Sequence, residues 1–336
     1  MRSTRAALTC LCALWFACAK PPKPVKIVPP EPTDPVRAVL TRAYSALERG
    51  EVDELASAFA PTVVAFGPAP GDTLAGRDPL SDELRRRMMP LTLTGGQLKV
   101  RQSAPKIGLS PKETSAWLWD LPAIEVLKEG KAPALYKVRL TAHLVKDPGG
   151  WAVDAAHLSM GILDDDLFKP TAPKTLGLPR EVPDEMGPGS EPLLELLTLV
   201  LKDPAAKIER TSDRDEVVLI GTGPTELFEG GKKFKAFGRS MLPQLKKAVV
   251  KLKVDGATTS RLAPDGETGF IATNLSMTLG AGKKAQTLPP FRSLWVFLKE
   301  KDEWAVVEDH ESSGLPQALW TKEEPAAPDT APDAGR

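Results

Sequence analysis

The end of this chain repeats a pattern found near its middle. The string "WAVDAAHLS" begins at Trp151 and "WAVVEDHES" begins at Trp304, so both read Trp-x-Val-x-x-x-His-x-Ser. A set of landmarks that recurs at the same spacing indicates one structural unit present twice. With 336 residues, the chain is long enough for two domains that each bury a core of their own.

Further landmarks recur in the same order ahead of the two strings. Each copy has a Gly-Pro after its first strand, a Gly-Arg at the start of a helix and a Glu-Thr at a similar distance before the Trp. The matched pairs are Gly67-Pro68 with Gly223-Pro224, Gly76-Arg77 with Gly238-Arg239, and Glu113-Thr114 with Glu267-Thr268. Together they predict a tandem duplication of one α+β unit.

Each unit is predicted to start with helices and to continue into antiparallel strands. Apolar residues recur at helical spacing from Pro35 to Leu47, and the period changes to two from Gln97 onward. The second unit shows a first helix but no clear second one, because "DPAAKIERTSDR" is polar and contains Pro.

Composition places the boundaries between the predicted parts of the chain. A Pro/Gly-rich linker at 166–190 separates domain 1 at 36–165 from domain 2 at 191–318. The Pro/Ala/Asp-rich tail at 321–336 is predicted to be disordered.

The first 19 residues are predicted to be a signal peptide rather than part of the fold. A basic start precedes an apolar run that is too short to span a bilayer as a mature helix. Either Cys18 is lipidated, as in a bacterial lipoprotein, or the leader is cleaved after Ala19 at an Ala-x-Ala site. The Pro-rich spacer at 20–34 favours lipidation, because a stiff extended segment suits a tether.

We therefore predict an exported outer-membrane lipoprotein that faces the periplasm or the cell surface. Its contact with the membrane is expected to be through the lipid anchor only. A soluble periplasmic or secreted protein is the alternative.

Charge and cysteine content exclude several classes of function. The 44 Lys and Arg balance the 44 Asp and Glu, so nothing in the net charge recruits nucleic acid. The cysteines all lie in the leader, at Cys10, Cys12 and Cys18, which leaves the mature chain without a disulfide or a thiolate site. With 3 His in the chain, a multi-His metal site is not expected, and no cofactor is predicted.

The order of these elements resembles a known family. Helices first, Gly-Arg before a helix, long antiparallel strands and a final Trp-x-Val-x-x-x-His-x-Ser strand are similar to the SnoaL-like branch of the nuclear transport factor two-like superfamily. The resemblance covers about residues 36–163 and 191–316. It implies two tandem cone-shaped α+β domains, each a curved antiparallel sheet wrapped over about three helices. The family includes isomerases, cyclases, dehydratases and members without chemistry, so the fold alone does not fix the function.

Strict alternation along the last strand gives a set of candidate site residues. It places Trp, Val, His and Ser of each string on one face, which is expected to pack on the helices beside a pocket. The predicted pocket residues are Trp117, Trp119, Trp151, His157, Ser159, Trp304, His310 and Ser312.

Two kinds of side chain are candidates for acid–base chemistry. Either His157 or His310 could be a general base, and the alternative is a hydrogen-bonded structural role. The resemblance to isomerases implies a pocket carboxylate, for which Asp120 in "AWLWDLPAIEV" is the candidate; a structural Asp is the alternative. The second copy has Asn274 near that position, so the carboxylate is not repeated.

Two functions remain open from the sequence. The first is a non-catalytic envelope lipoprotein that binds a small apolar ligand or a protein partner. The second is an enzyme of isomerase, cyclase or dehydratase type that uses a pocket His or Asp. Because relatives pair through the outer faces of their sheets, we also expect a monomer folded as an internal pseudo-dimer.

Overall fold

A computed structural model describes residues 31–129, 133–162, 177–245, 250–280 and 285–315. The predicted signal peptide with Cys18, most of the spacer, part of the linker and the C-terminal tail lie outside these residues. In the described part, no helix combines the length and the apolar character needed to cross a membrane.

The first copy opens with an amphipathic helix. Val36, Val39 and Leu40 form its buried face, and Gly50 ends it with a positive φ of 72°. Its elements are α1 (Asp34–Arg49), α2 (Val52–Ser57), β1 (Phe59–Phe66), β2 (Thr73–Ala75), α3 (Arg77–Leu93), β3 (Gln97–Arg101), β4 (Lys106–Leu109), β5 (Ser115–Asp120), β6 (Ala123–Leu127), β7 (Ala134–Lys137), β8 (Arg139–Asp147) and β9 (Gly150–Ser159). The main sheet has the order β2-β1-β9-β8-β5-β4, and β3-β6-β7 form a smaller sheet.

The second copy repeats this plan after a short strand in the linker. Its elements are β10 (Glu185–Met186), α4 (Glu191–Lys202), α5 (Pro204–Arg210), β11 (Val218–Ile220), β12 (Leu227–Glu229), α6 (Gly231–Leu245), β13 (Val250–Leu262), β14 (Thr268–Leu279), β15 (Gln286–Thr287), β16 (Phe291–Glu300) and β17 (Glu303–Ser312). The sheet has the order β10-β13-β14-β16-β17-β11-β12, with β15 beside β14.

The second copy does contain a second helix, α5, which the sequence prediction missed. The Asp203 side chain accepts a hydrogen bond from the Ala205 N–H, and Pro204 occupies the first turn. A capped helix needs little apolar periodicity, and this one buries Ile208 alone.

Hydrogen-bonded turns align the two copies and correct the predicted landmarks. The Gly67 N–H donates to the Asp72 carbonyl at 2.8 Å, and the Gly221 N–H donates to the Glu226 carbonyl at 2.9 Å. Gly67 therefore corresponds to Gly221, not to Gly223. Dipeptide letters recur by composition, whereas the turn needs its glycine at one fixed backbone position.

The other two landmarks shift for the same reason. Gly76 and Gly230 both have a positive φ; the Gly76 N–H donates to Val63 of β1 and the Gly230 N–H donates to Val217, next to β11, so Gly230 is the partner of Gly76. Gly238 lies inside α6. Glu113 and Gly266 have φ of 55° and 69° and close equivalent turns. The counterpart of Glu113 is therefore Gly266, one residue before the predicted Glu267.

A β-bulge interrupts the last strand of each copy. The pairing of β8 with β9 skips Asp154, and the pairing of β16 with β17 skips Val307. One extra residue moves every following side chain to the opposite face of the sheet. Trp151 and Val153 therefore pack toward the helices, whereas the residues beyond the bulge face away from them.

The outer faces of the two sheets pack against each other. A single buried apolar cluster contains Val64, Phe66, Trp117 and Ala155 of the first copy with Phe270, Ala272, Leu294, Val296 and Val307 of the second. The chain beyond each last strand crosses to the other copy: the Ile162 N–H donates to the Thr222 carbonyl at 2.9 Å, and the Leu315 N–H donates to the Pro68 carbonyl at 2.8 Å. These reciprocal bonds relate the copies by a pseudo-two-fold.

Candidate functional site

The two candidate histidines meet at this pseudo-two-fold. The rings of His157 and His310 stack with centroids 3.9 Å apart. His157 Nε2 lies 2.7 Å from Ser312 Oγ, and His310 Nε2 lies 2.7 Å from Ser159 Oγ. All four side chains are buried. The prediction that they line the cone pockets is wrong, because the bulges at Asp154 and Val307 turn them to the outer face.

Two buried arginines flank the histidines. Arg139 Nε donates to Ser159 Oγ and Arg292 Nη2 donates to Ser312 Oγ, both at 3.0 Å. Each Nη1 donates to backbone carbonyls of the opposite copy. Burial lowers the pKa of each guanidinium to about 10. Hydrogen-bonded serines and carbonyls thus hold these two side chains in place of a paired carboxylate.

This environment makes both histidines poor bases. Burial, followed by the charge of the two arginines, holds the pKa of His157 well below its usual value. Burial, followed by repulsion from His157, does the same to the pKa of His310. A neutral imidazole with a depressed pKa accepts protons weakly, which matches a structural role.

The candidate tryptophans divide between the two faces of the sheets. Trp117 belongs to the cluster shared by both copies, and Trp119 packs against Val218 and Ile220 of the second copy. Both therefore lie between the domains, which contradicts their prediction as pocket residues. Trp151 and Trp304 lie on the helix side, partly buried against the core of their own copy.

The interior of the first cone contains a saturated carboxylate. Asp120 is fully buried on the helix side of β5. Its Oδ2 accepts from the Tyr44 hydroxyl at 2.9 Å, and its Oδ1 accepts from the Ser103 hydroxyl and from the Leu121 N–H at 2.9 Å. Burial, followed by the charge of Asp120, raises the pKa of Tyr44. Tyr44 therefore keeps its proton and is one of three hydrogen-bond donors to the Asp120 carboxylate.

The second copy lacks this pair. Asp120 pairs with Leu140 on β8, and Thr273 pairs with Ser293 at the equivalent position of β16. Thr273, rather than the predicted Asn274, is therefore the counterpart of Asp120. Helical spacing places Leu201 at the position of Tyr44.

An apolar face extends from Asp120 along the smaller sheet of the first copy. Tyr136 shares its alternation with Leu140, which packs in the first core. Tyr136 and Ile124 themselves pack against a buried cluster that contains residues of both copies, among them Val138 and Leu288. The apolar face carries Leu98, Val100, Ile124, Val126 and Tyr136, all of them only half-buried.

The interior of the second cone is apolar and contains an ion pair instead. Lys207 Nζ of α5 lies 2.6 Å from Asp309 Oδ2 and 4.9 Å from the centroid of the Trp295 ring. Glu311 shares this face of β17, and burial followed by repulsion from Asp309 raises its pKa to about 8. Within the described ranges, no group of three or more His, Cys, Asp or Glu side chains could hold a metal ion.

Sequence reasoning missed several of these residues, although a signal for some was present. Arg139 and Arg292 stand the same number of residues before Ser159 and Ser312, so the repeat carries them too. Tyr44 lies on the inner face of a predicted helix. Its contact with Asp120 depends on how that helix crosses the sheet, which no local pattern fixes.

Comparison with known proteins assigns the family. A family described as a SnoaL-like domain matches residues 36–163 and 203–316. A comparison with curated proteins finds no match.

Solved structures similar to this chain include an NTF2-like protein with a cystatin-like fold from Novosphingobium aromaticivorans (11% identity, 52% of this chain and 97% of that chain, TM-score 0.35). An NTF2-like protein of unknown function from Pseudomonas putida KT2440 shares 14% identity over 39% of this chain and 87% of its own, with a TM-score of 0.33. ActVI-ORFA from Streptomyces coelicolor shares 12% identity over 38% and 95%, with a TM-score of 0.33.

The family match falls on both halves of the repeat, so the predicted tandem pair of cone-shaped α+β domains is confirmed. The chain belongs to the SnoaL-like domain family and carries two copies of the domain.

Proposed function

We propose that this chain is a non-catalytic envelope protein whose first cone binds a small apolar ligand. The observation that carries the proposal is the half-exposed apolar face beside Tyr44 and Asp120, because concave apolar surfaces with a few fixed polar groups are typical ligand sites. Asp120 accepts hydrogen bonds from three donors. To act as a base it would have to give up bonds that cost about 1–3 kcal/mol each to leave unmade.

The pairing of the two domains supports a binding role rather than chemistry. The buried histidines and arginines fix the two sheets against each other and leave the two cone interiors on opposite sides of the interface. With lipidation at Cys18 and the Pro-rich spacer, such a unit would present its first cone at a distance from a membrane surface.

Binding of the apolar probe anilinonaphthalene sulfonate, followed by fluorescence, tests the proposed site. Val126→Lys places a charge on the apolar face of β6 that Ile124 shares, and it should abolish most of the fluorescence increase. Leu127→Lys is the matched control, since the next residue of a strand points to the opposite face. Equal binding by both variants and the original chain would refute the site.

A second candidate function is an enzyme that moves protons in the second cone. Glu311 favours it, because a carboxylic acid with a pKa of about 8 is poised to exchange a proton near neutral pH. The test is deuterium exchange at the carbon beside the carbonyl of small ketones, measured by NMR. Catalysed exchange that Glu311→Gln removes would support the enzyme, and exchange at the background rate would rule it out for these substrates.

A further inference from the structure

Glu308 is a buried acid that the fold itself does not require. It lies on β17 directly after the bulge and faces the other domain. The equivalent position in the first copy is Ala155, so the same architecture forms without a carboxyl group. The side chain of Glu308 is fully buried, and neither carboxyl oxygen has a hydrogen-bond partner among the described residues.

Two unpartnered donors lie in the same interface as this acid. The indole N–H groups of Trp117 and Trp119 are buried and make no hydrogen bond to described residues. Glu308 pairs laterally with Val296 and Val218. Val296 shares a cluster with Trp117, and Val218 shares one with Trp119. The two carboxyl oxygens of Glu308 and the two indole N–H groups are therefore buried in one interface, around Val296 and Val218.

Among the residues that the structure describes, no positively charged group pairs with Glu308. Burial alone raises its pKa well above the ordinary value. The ionisable groups that face this interface from the elements around it include His310 on β17, His143 and Arg139 on β8, His157 on β9 and Arg292 on β16. Arg139 and Arg292 bond to Ser159, Ser312 and backbone carbonyls, and the guanidinium of Arg214 lies 5.5 Å from the centroid of the Trp117 ring. His310 and His143 have lowered pKa values and are neutral, and Arg214 bonds to Glu300 and a backbone carbonyl.

We propose that the protonation of Glu308 locks the two domains together. A neutral carboxyl group can accept a hydrogen bond from an indole N–H and costs far less to bury than a carboxylate, which needs water or a counter-ion. Ionisation therefore favours separation of the two sheets. The pKa of Glu308 is lower in the open form than in the closed form. For each pH unit between these two values, the ratio of open to closed molecules rises by up to about tenfold. The proposal does not depend on any ligand in the first cone.

Small-angle scattering and tryptophan emission on the full chain, from about pH 6.5 to about pH 10, test this lock. We expect the radius of gyration to rise and the emission to shift to the red as the pH increases. Glu308→Gln should remain compact throughout, since an amide keeps the shape without the ionisation. Glu308→Ala, which copies Ala155, is the second variant and should behave in the same way.

Glu311→Gln is the matched control, because Glu311 also has a raised pKa but lies on the opposite face of β17. This variant should open like the original chain. The proposal is overturned if the original chain stays compact up to about pH 10, or if Glu308→Gln opens with it.

Discussion

The contact between Gly161 and Pro224 should govern the stability of the paired domains. A Cβ on Gly161 would lie 2.1 Å from Pro224 Cα and 2.4 Å from its nitrogen, and these backbone atoms cannot rotate away. Gly161→Ala must therefore displace the crossing segment and weaken the 2.9 Å bond from the Ile162 N–H to the Thr222 carbonyl. Overpacking costs about 1–3 kcal/mol and a lost hydrogen bond about 1 kcal/mol, so we expect a loss of about 2–4 kcal/mol.

Equilibrium unfolding in urea measures this loss as a lower midpoint. Gly71→Ala is the control, since its Cβ would meet nothing closer than Arg180 Nε at 3.8 Å. That variant should stay within about 0.5 kcal/mol of the original chain. If Gly161→Ala costs no more than the control, the two copies do not meet at this contact.

Three further changes have defined outcomes. His157 and His310 have lowered pKa values, so the stability that they contribute is complete above about pH 6.5 and is lost as the pH falls. The loss is up to about 1.4 kcal/mol per pH unit for each histidine. In urea unfolding, the double variant His157→Gln, His310→Gln should no longer show this loss at acid pH. Tyr44→Phe should cost about 1–3 kcal/mol, and a double-mutant cycle with Asp120→Asn should be less than additive, whereas strict additivity would disprove their coupling. Cys18→Ser should move the protein from the membrane to the soluble fraction, and unchanged fractionation would exclude lipidation.

Much of the fold could be predicted because it depends on local patterns. The apolar spacing that gives α1 and the period of two that gives the strands are visible in the letters. The duplication was visible in the Trp-x-Val-x-x-x-His-x-Ser strings. A helix such as α5, which depends on one cap at Asp203, left no comparable pattern.

The site could not be predicted, because one residue decides which way each last strand points. Strict alternation from Trp151 places His157 inside the cone, but the bulge at Asp154 reverses every later position. No feature of "WAVDAAHLS" marks where the extra residue falls. The bulge at Val307 has the same effect in the second copy and brings the ring of His310 onto that of His157. Both histidines were therefore predicted on the wrong face for the same reason.

Light scattering combined with small-angle scattering, on the chain lacking residues 1–20, shows whether the two domains pair within one molecule. The shared apolar cluster and the reciprocal bonds between the copies predict a monomer with a single compact body. A profile of two separately tumbling domains, or a tight dimer of chains, would contradict the internal pseudo-dimer.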